Sequence, residues 1–104
     1  MFLKFTASGE LLFEGRNNFR DFKLVVEGGR NLLNAVRKAT AGKAEVLDPE
    51  TAWIFQDALR RWPSVEQDAV WQRNFSVMIE KARPHGWIDD ARKAIKAHIE
   101  WVAR

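Results

Sequence analysis

Two histidines and one pair of adjacent acids are the side chains of this 104-residue chain best suited to acid–base catalysis or metal binding. His98 lies among apolar residues, where the favoured interpretation is a neutral core histidine bonded to a backbone carbonyl, although a general base in an aromatic pocket is also possible. No second histidine lies one helical turn away from it, so the spacing of a zinc site is absent. Asp89 and Asp90 point in different directions on a helix and fit the first turn of one. We therefore predict no catalytic residue, no metal site and no cofactor.

Nucleophile and phosphate-binding motifs give no better support for an enzyme. None of the three serines, Ser8, Ser64 and Ser76, lies in a G-x-S-x-G sequence. Gly28-Gly29 is not part of a G-x-G-x-x-G or Walker motif, which a phosphate-cradling loop would need. The chain has no cysteine, which excludes thiolate catalysis and cysteine-based zinc sites. We therefore expect a non-enzymatic protein.

A set of basic side chains favours nucleic-acid binding as the alternative function. If residues 18–40 form a helix, Lys23, Arg30 and Arg37 recur every seven residues along one face. Such a row is suited to following phosphates, although a solvated helix face also carries Lys and Arg without any such role. The predicted nucleic-acid-binding residues are Arg20, Lys23, Arg30, Asn34, Arg37 and Lys38.

The five tryptophans all lie in the second half of the chain, at positions 53, 62, 71, 87 and 101. Helical periodicity predicts that four of them lie in the core and that Trp53 lies on the polar side of its helix, aligned with Asp57 and Arg60. Because tryptophan often anchors protein interfaces, the predicted partner-binding residues are Trp53, Asp57 and Arg60. A possible small-ligand pocket is predicted at Trp87, His98 and Trp101.

The composition indicates one globular domain covering residues 1–104. Apolar residues make up 46% of the chain and charged residues 30%, which argues against disorder. The net charge of +3 is mixed along the sequence, with eight Lys/Arg against seven Asp/Glu in residues 1–52 and nine against seven in residues 53–104. Zero cysteine fits a reducing compartment, and no apolar run approaches the roughly 18 residues of a membrane span. We expect a soluble, cytoplasmic protein without a membrane partner.

The N-terminal residues 1–15 are predicted to form a β-hairpin. Alternating apolar residues on both sides of a Ser8-Gly9 turn are typical of such a pair of strands. Because a lone hairpin is only marginally stable in water, it must pack on helices, join another strand or pair with a second subunit.

Residues 18–40 allow two interpretations. Their apolar residues follow helical spacing, which favours one long helix. Against this helix stand Gly28-Gly29, which cost about 1 kcal/mol each in a helix interior, and the β-favouring Val25-Val26. The rival interpretation is a strand at 22–27, a Gly-Gly break and a shorter helix at 31–40. We favour the long helix because of its periodicity.

Three further helices are predicted in the rest of the chain. Asp48-Pro49-Glu50 is typical of a helix start and opens a helix at 49–62. After Pro63, the Ser64–Gln67 capping box opens a central helix at 65–82, which is apolar on two faces. The last helix is predicted at 87–103.

These elements predict an α+β fold that is mostly helical, a small helical domain in which the N-terminal hairpin packs on a bundle of about four helices. The alternative is a three-strand meander followed by four helices, the first of them short. Without a catalytic set, the favoured function is a non-enzymatic protein–protein interaction module or regulatory accessory protein, and self-association as a homo-oligomer is one form of that interaction.

Overall fold

The computed structural model describes residues 1–103 as a curled, seven-stranded mixed sheet that forms a half-barrel, with 31% of the residues in strands and 31% in helices. In chain order the elements are β1 (Phe2–Phe5), β2 (Leu11–Glu14), β3 (Lys23–Glu27), α1 (Leu33–Ala39), β4 (Ala44–Val46), β5 (Thr51–Phe55), α2 (Gln56–Arg60), α3 (Ala69–Ala82), β6 (Ile88–Asp89) and β7 (Ala94–Val102). Short 3-10 turns lie at Arg30–Leu32 and Arg83–His85. The prediction of a mostly helical fold is therefore wrong.

The sheet is ordered β2-β1-β3-β7-β5-β4, and the short β6 also pairs with β7. The pairs β1–β3 and β3–β7 are parallel, whereas the other pairs are antiparallel. The alternative of a three-strand meander followed by four helices is also wrong, because β1 joins β3 in parallel and further strands follow. The long strand β7 lies at the centre of the sheet and pairs with β3, β5 and β6.

The segment predicted as the helix 87–103 forms β6, a turn and β7 instead. Alternate residues of β7 face the core, which is the two-residue period of a strand with one buried face. The inward side chains are Ile95, Ala97, Ile99 and Trp101, and the outward ones are Lys96, His98, Glu100 and Val102. The helix prediction is wrong because the same apolar residues also form a wide arc when they are plotted at helical spacing.

The segment predicted as the helix 49–62 begins as β5 and becomes helical only in the five-residue α2. Ala52 and Ile54 are fully buried, while Trp53 between them faces the other side of the sheet. The pattern that placed Trp53 on the polar side of a predicted helix is therefore the alternation of inward and outward residues along a strand. β-Branched and aromatic residues dominate this segment and favour that conformation.

Residues 18–40 do not form one helix but a strand, β3, followed by a 3-10 turn and the short helix α1. Gly28 has a φ of +148°, which L-residues rarely adopt, and its N–H donates to the carbonyl oxygen of Val102 over 2.9 Å. The long-helix prediction is wrong because this glycine breaks the helix and because β3 is paired with β1 and β7 on both sides.

The hairpin of residues 1–15 is present as the antiparallel pair β1–β2, with Leu3 opposite Phe13. The other edge of β1 pairs with β3, so the hairpin finds its neighbour within the chain. The predicted central helix 65–82 begins later, at Ala69, and its N-cap is Asp68, whose carboxylate accepts from the N–H of Trp71 over 3.0 Å. The Ser64–Gln67 capping box is therefore not used.

The core lies between the inward face of the sheet and the buried side of α3. Trp71, Phe75 and Ile79 of this helix pack with the inward residues of the strands. Trp71 stacks on Phe75 with a centroid distance of 4.8 Å, and Phe13 approaches it edge-on at 6.0 Å. Among residues 1–103, no helix is long and apolar enough to cross a membrane.

Candidate functional site

The edge of β7 that faces β3 and β6 is interrupted. β3 pairs with His98–Val102, whereas β6 pairs with Ala94 and Ile95. Between them, Lys96 and Ala97 have no strand beside them on this side, and the N–H of Lys96 donates to the carbonyl oxygen of Trp87 over 2.8 Å. The sheet is therefore open over two residues at its central strand.

A cleft of about 950 Å³ lies at this opening. Its walls are the loop that precedes β3, one side of α3, the turn before β6, and β7 itself. A cavity of this size is comparable with the clefts that hold small ligands or the side chains of a partner.

The cleft carries an apolar surface that remains open to solvent. Phe19, Phe22 and Met78 are half-buried and line it. Trp87 and Val77 also line it, and they are 49% and 47% exposed. Large apolar side chains that are this exposed and adjacent to one cavity are typical of a binding surface.

Three cations border the cleft without an acidic partner. Arg20, Lys81 and Lys96 are exposed, line the cavity and form no salt bridge within residues 1–103. The cleft also contains two acids, and each of them lies near a cation. Glu50 pairs with Arg30 at 2.7 Å, and Asp21 lies close enough to the Met1 ammonium and to Lys23 to favour their charged forms.

Both histidines lie at the cleft. His85 stacks on Trp87 with a centroid distance of 4.5 Å and an interplanar angle of 19°, so the two rings form one flat rim. His98 is exposed on the outward face of β7, directly across from Thr51 of β5. The interpretation of His98 as a buried core histidine is therefore wrong.

The loop before β3 is held in place by two contacts from distant parts of the chain. The Met1 ammonium donates to the carbonyl oxygens of Asn18 and Asp21 over 2.6 Å and 2.9 Å. Burial lowers the pKa of this ammonium, while the Asp21 carboxylate acts in the opposite direction. The indole N–H of Trp71 donates to the carbonyl oxygen of Arg16 over 2.7 Å. These contacts fix one wall of the cleft.

Of the predicted pocket residues, Trp87 and His98 line the cleft and Trp101 does not. The indole of Trp101 faces the core side of β7 and donates to the carbonyl oxygen of Pro49 over 2.7 Å. The prediction that Trp87 is a core residue is wrong, because this side chain is half exposed.

The predicted partner-binding residues lie on two elements, Trp53 on β5 and the other two on α2. Trp53 is half-buried on the outward face of the sheet, with the Arg92 guanidinium 5.6 Å from its ring centroid. Arg60 of α2 is engaged within the fold, since it donates to Gln72 Oε1 at 2.8 Å and its guanidinium lies 4.7 Å from the ring centroid of Phe75. Asp57 is exposed on α2. None of the three lines the cleft.

The predicted nucleic-acid-binding residues are divided among separate elements. Lys23 on β3 pairs with Glu100 at 2.9 Å, and Arg30 in a 3-10 turn pairs with Glu50. Arg37 on α1 donates to the carbonyl oxygen of Val46 over 3.2 Å. Asn34 and Lys38 are exposed on α1, and Arg20 borders the cleft. The row at seven-residue intervals does not exist, because residues 18–40 are not one helix.

Sequence reasoning missed most of the cleft. Its loop aromatics, Phe19 and Phe22, and its cations Lys81 and Lys96 were not assigned to a common site. One signal was available: Val77 lies on the far side of α3 from its main apolar stripe and is exposed at the cleft. Within residues 1–103, no group of three or more His, Asp or Glu side chains is close enough to hold a metal ion.

Comparison with protein-family models, with curated proteins and with solved structures found no match for this chain. The geometry of the cleft is therefore the basis for proposing a function.

Proposed function

We propose that this protein is a non-enzymatic interaction module, or an accessory subunit, that binds another protein at the cleft beside β7. The observation that supports this proposal is the open cavity of about 950 Å³, with Trp87 and Val77 half exposed on its border. The absence of cysteine from the sequence is compatible with a cytoplasmic location, which we include in the proposal.

The apolar border of the cleft supplies the affinity in this proposal. Burying the exposed half of a tryptophan side chain removes on the order of 100 Å² from water, which contributes about 2–3 kcal/mol. Trp87 is also held flat by its stack on His85, so little side-chain entropy is lost when a partner covers it. Rigid aromatic anchors of this kind dominate the energetics of many protein interfaces.

A photo-crosslinking amino acid at position 77 tests the proposal in the native host. Val70 gives a matched control position, because it is a valine on the same helix, is 59% exposed and does not line the cleft. We expect one dominant crosslinked protein from position 77 and none of it from position 70. Mass spectrometry of the product then distinguishes a second copy of this chain from a different protein.

Two results would contradict the proposal. One is equal labelling of the same proteins from positions 77 and 70, which would indicate random encounters. The other is crosslinking at position 77 to nucleic acid and not to protein, which would favour the alternative function.

A further inference from the structure

We infer that the cleft selects an acidic partner segment, in which carboxylates flank one large apolar side chain. This inference rests on the proposed function and adds the chemistry of the partner. It is carried by the coincidence of an open apolar cleft with three cations that lack acidic partners, Arg20, Lys81 and Lys96.

The charges around the cleft favour an anionic occupant. The three cations lie on three different elements, namely the loop before β3, the last turns of α3, and β7, so they surround the cavity from different sides. By contrast, Lys23 on the neighbouring strand is paired with Glu100 at 2.9 Å. A cleft in which charges of one sign predominate attracts ions of the opposite sign, and its apolar walls strengthen that potential.

The two acids in the cleft do not cancel this potential. Glu50 is neutralised by Arg30 at 2.7 Å. The Asp21 carboxylate forms no salt bridge within residues 1–103, so one unpaired acid remains against three unpaired cations. A phosphate backbone offers no apolar side chain to cover the exposed border at Val77 and Trp87. We therefore favour a compact acidic peptide segment over a nucleic acid.

Recognition of this segment comes from side chains and not from strand addition. The open part of the β7 edge contains only Lys96 and Ala97, and the N–H of Lys96 is already bonded to Trp87. A stretch of two residues is too short to template another strand. Phe19, Phe22 and Met78 instead offer a surface for one aromatic or aliphatic side chain of the partner.

Three labelled synthetic peptides test the inference by fluorescence anisotropy at low ionic strength. They are Gly-Glu-Glu-Phe-Glu-Glu-Gly, its analogue with Lys in place of Glu, and its analogue with Ser in place of Phe. We expect the first to bind roughly tenfold or more tightly than either analogue, because charge and apolar contact both contribute. Its affinity should fall as salt rises, since the Debye length shortens from about 30 Å at 0.01 M to about 8 Å at 0.15 M.

Reversing the charge of two lysines of the cleft tests whether the cleft causes the preference for the acidic peptide. We expect the double variant Lys81→Glu, Lys96→Glu to lose the preference for the glutamate peptide or to prefer the lysine peptide. The matched control is Lys38→Glu, Arg61→Glu, which changes the same net charge at two exposed positions outside the cleft. Circular dichroism checks that both variants are folded. The control should retain the preference for the acidic peptide.

The inference and the proposed function can fail separately. If the lysine peptide binds as tightly as the glutamate peptide, or if both double variants behave alike, the inference is wrong, while crosslinking at position 77 still decides the proposed function. Suppose that a random DNA duplex binds more tightly than the acidic peptide, and that DNA binding is lost in the cleft double variant and kept in the control variant. In that case the occupant is a nucleic acid and the inference is overturned. Absence of any binding by the glutamate peptide at millimolar concentration would also overturn it.

Discussion

The indole N–H of Trp71 donates to the backbone carbonyl oxygen of Arg16 over 2.7 Å. This hydrogen bond joins the buried side of α3 to the start of the loop that forms one wall of the cleft. Trp71 is 2% exposed and is stacked on Phe75, so its position is fixed by the core. A core tryptophan therefore positions part of the candidate binding site.

Replacing Trp71 with Phe should destabilise the protein and loosen that loop. The variant leaves the Arg16 carbonyl without its donor and removes part of a closely packed ring, so we expect a loss of about 2–4 kcal/mol in the free energy of unfolding. Urea denaturation measures this loss. The amide hydrogens of residues 17–22 should also exchange faster. This increase should exceed the one that the lower global stability alone would produce.

Trp101→Phe is the control for this prediction. Trp101 makes a hydrogen bond of the same length, to the carbonyl oxygen of Pro49, but it does not border the loop or the cleft. This variant should lose stability without a selective change in the exchange of residues 17–22. Equal local exchange in the two variants would show that the Trp71 bond does not hold the loop.

Trp87→Ala and Trp53→Ala should separate binding from stability. Trp87 is half exposed at the cleft, so we expect its removal to cost less than about 1 kcal/mol of stability and to weaken binding of the glutamate peptide at least tenfold. Trp53 is half-buried under Arg92 and outside the cleft, so its removal should cost about 1–3 kcal/mol and leave binding almost unchanged. Anisotropy titration and urea denaturation measure the two effects. If Trp53→Ala weakened binding and Trp87→Ala left it unchanged, Trp53 and not Trp87 would belong to the partner-binding surface.

The strands explain why the sequence predicted the wrong fold class. In β7, Ile95 and Ile99 are consistent with either a helix or a strand, because residues four apart share a face in both. What decides the conformation is the neighbour of the strand: β7 is paired with β3 and β5, and β3 lies near the other end of the chain. Pairing between strands that are so far apart in the chain produces no pattern in the local sequence from which it could be predicted. The hairpin and much of α3 could be predicted because their contacts are local.

The cleft could not be predicted because it exists only where β3 has not yet begun and β6 is too short to continue. Lys96 and Arg20 are ordinary surface cations in the sequence, and nothing in their spacing relates them. The sheet brings them to one cavity. Trp87 and His98 were assigned to a common pocket, but by helical periodicity in a segment that is a strand, so their proximity to the cleft has a different cause from the one inferred.

Asp89 should make stability depend on acid pH. Its carboxylate accepts from the side-chain Nε–H of Arg92 over 2.7 Å and from the backbone N–H of Arg92 over 3.2 Å, and these bonds lower the pKa of Asp89 below its ordinary value. A lowered pKa stabilises the folded state above the unfolded value of about 3.9, and this contribution is lost as the pH falls through the folded pKa.

The variant Asp89→Asn measures that contribution. It should be less stable than the parent chain near neutral pH, and the difference should shrink as the pH falls below about 4. Urea denaturation at several pH values gives the comparison. Glu66→Gln is the control, because Glu66 is exposed and forms no salt bridge within residues 1–103. If Asp89→Asn shows the same pH dependence as the control, the bonds to Arg92 contribute nothing to stability in solution.

Gly28→Ala should test the backbone feature that ends β3. A side chain at this position would adopt a φ of +148° and its Cβ would overlap the side chain of Leu32, so both strain and steric contact oppose it. We expect a loss of about 2–4 kcal/mol in the free energy of unfolding. Gly42→Ala is the matched control, because Gly42 also has a positive φ, +80°, but its Cβ would have no neighbour within 4 Å.

The control should lose only the strain energy, about 1–2 kcal/mol. The difference between the two variants then combines the contact with Leu32 and the greater strain of an L-residue at a φ of +148° than at +80°. Equal losses would mean that Leu32 moves aside at no cost. In that case the tight packing between the end of β3 and α1 is not what requires glycine at position 28, and the backbone angle alone explains why the predicted long helix is broken there.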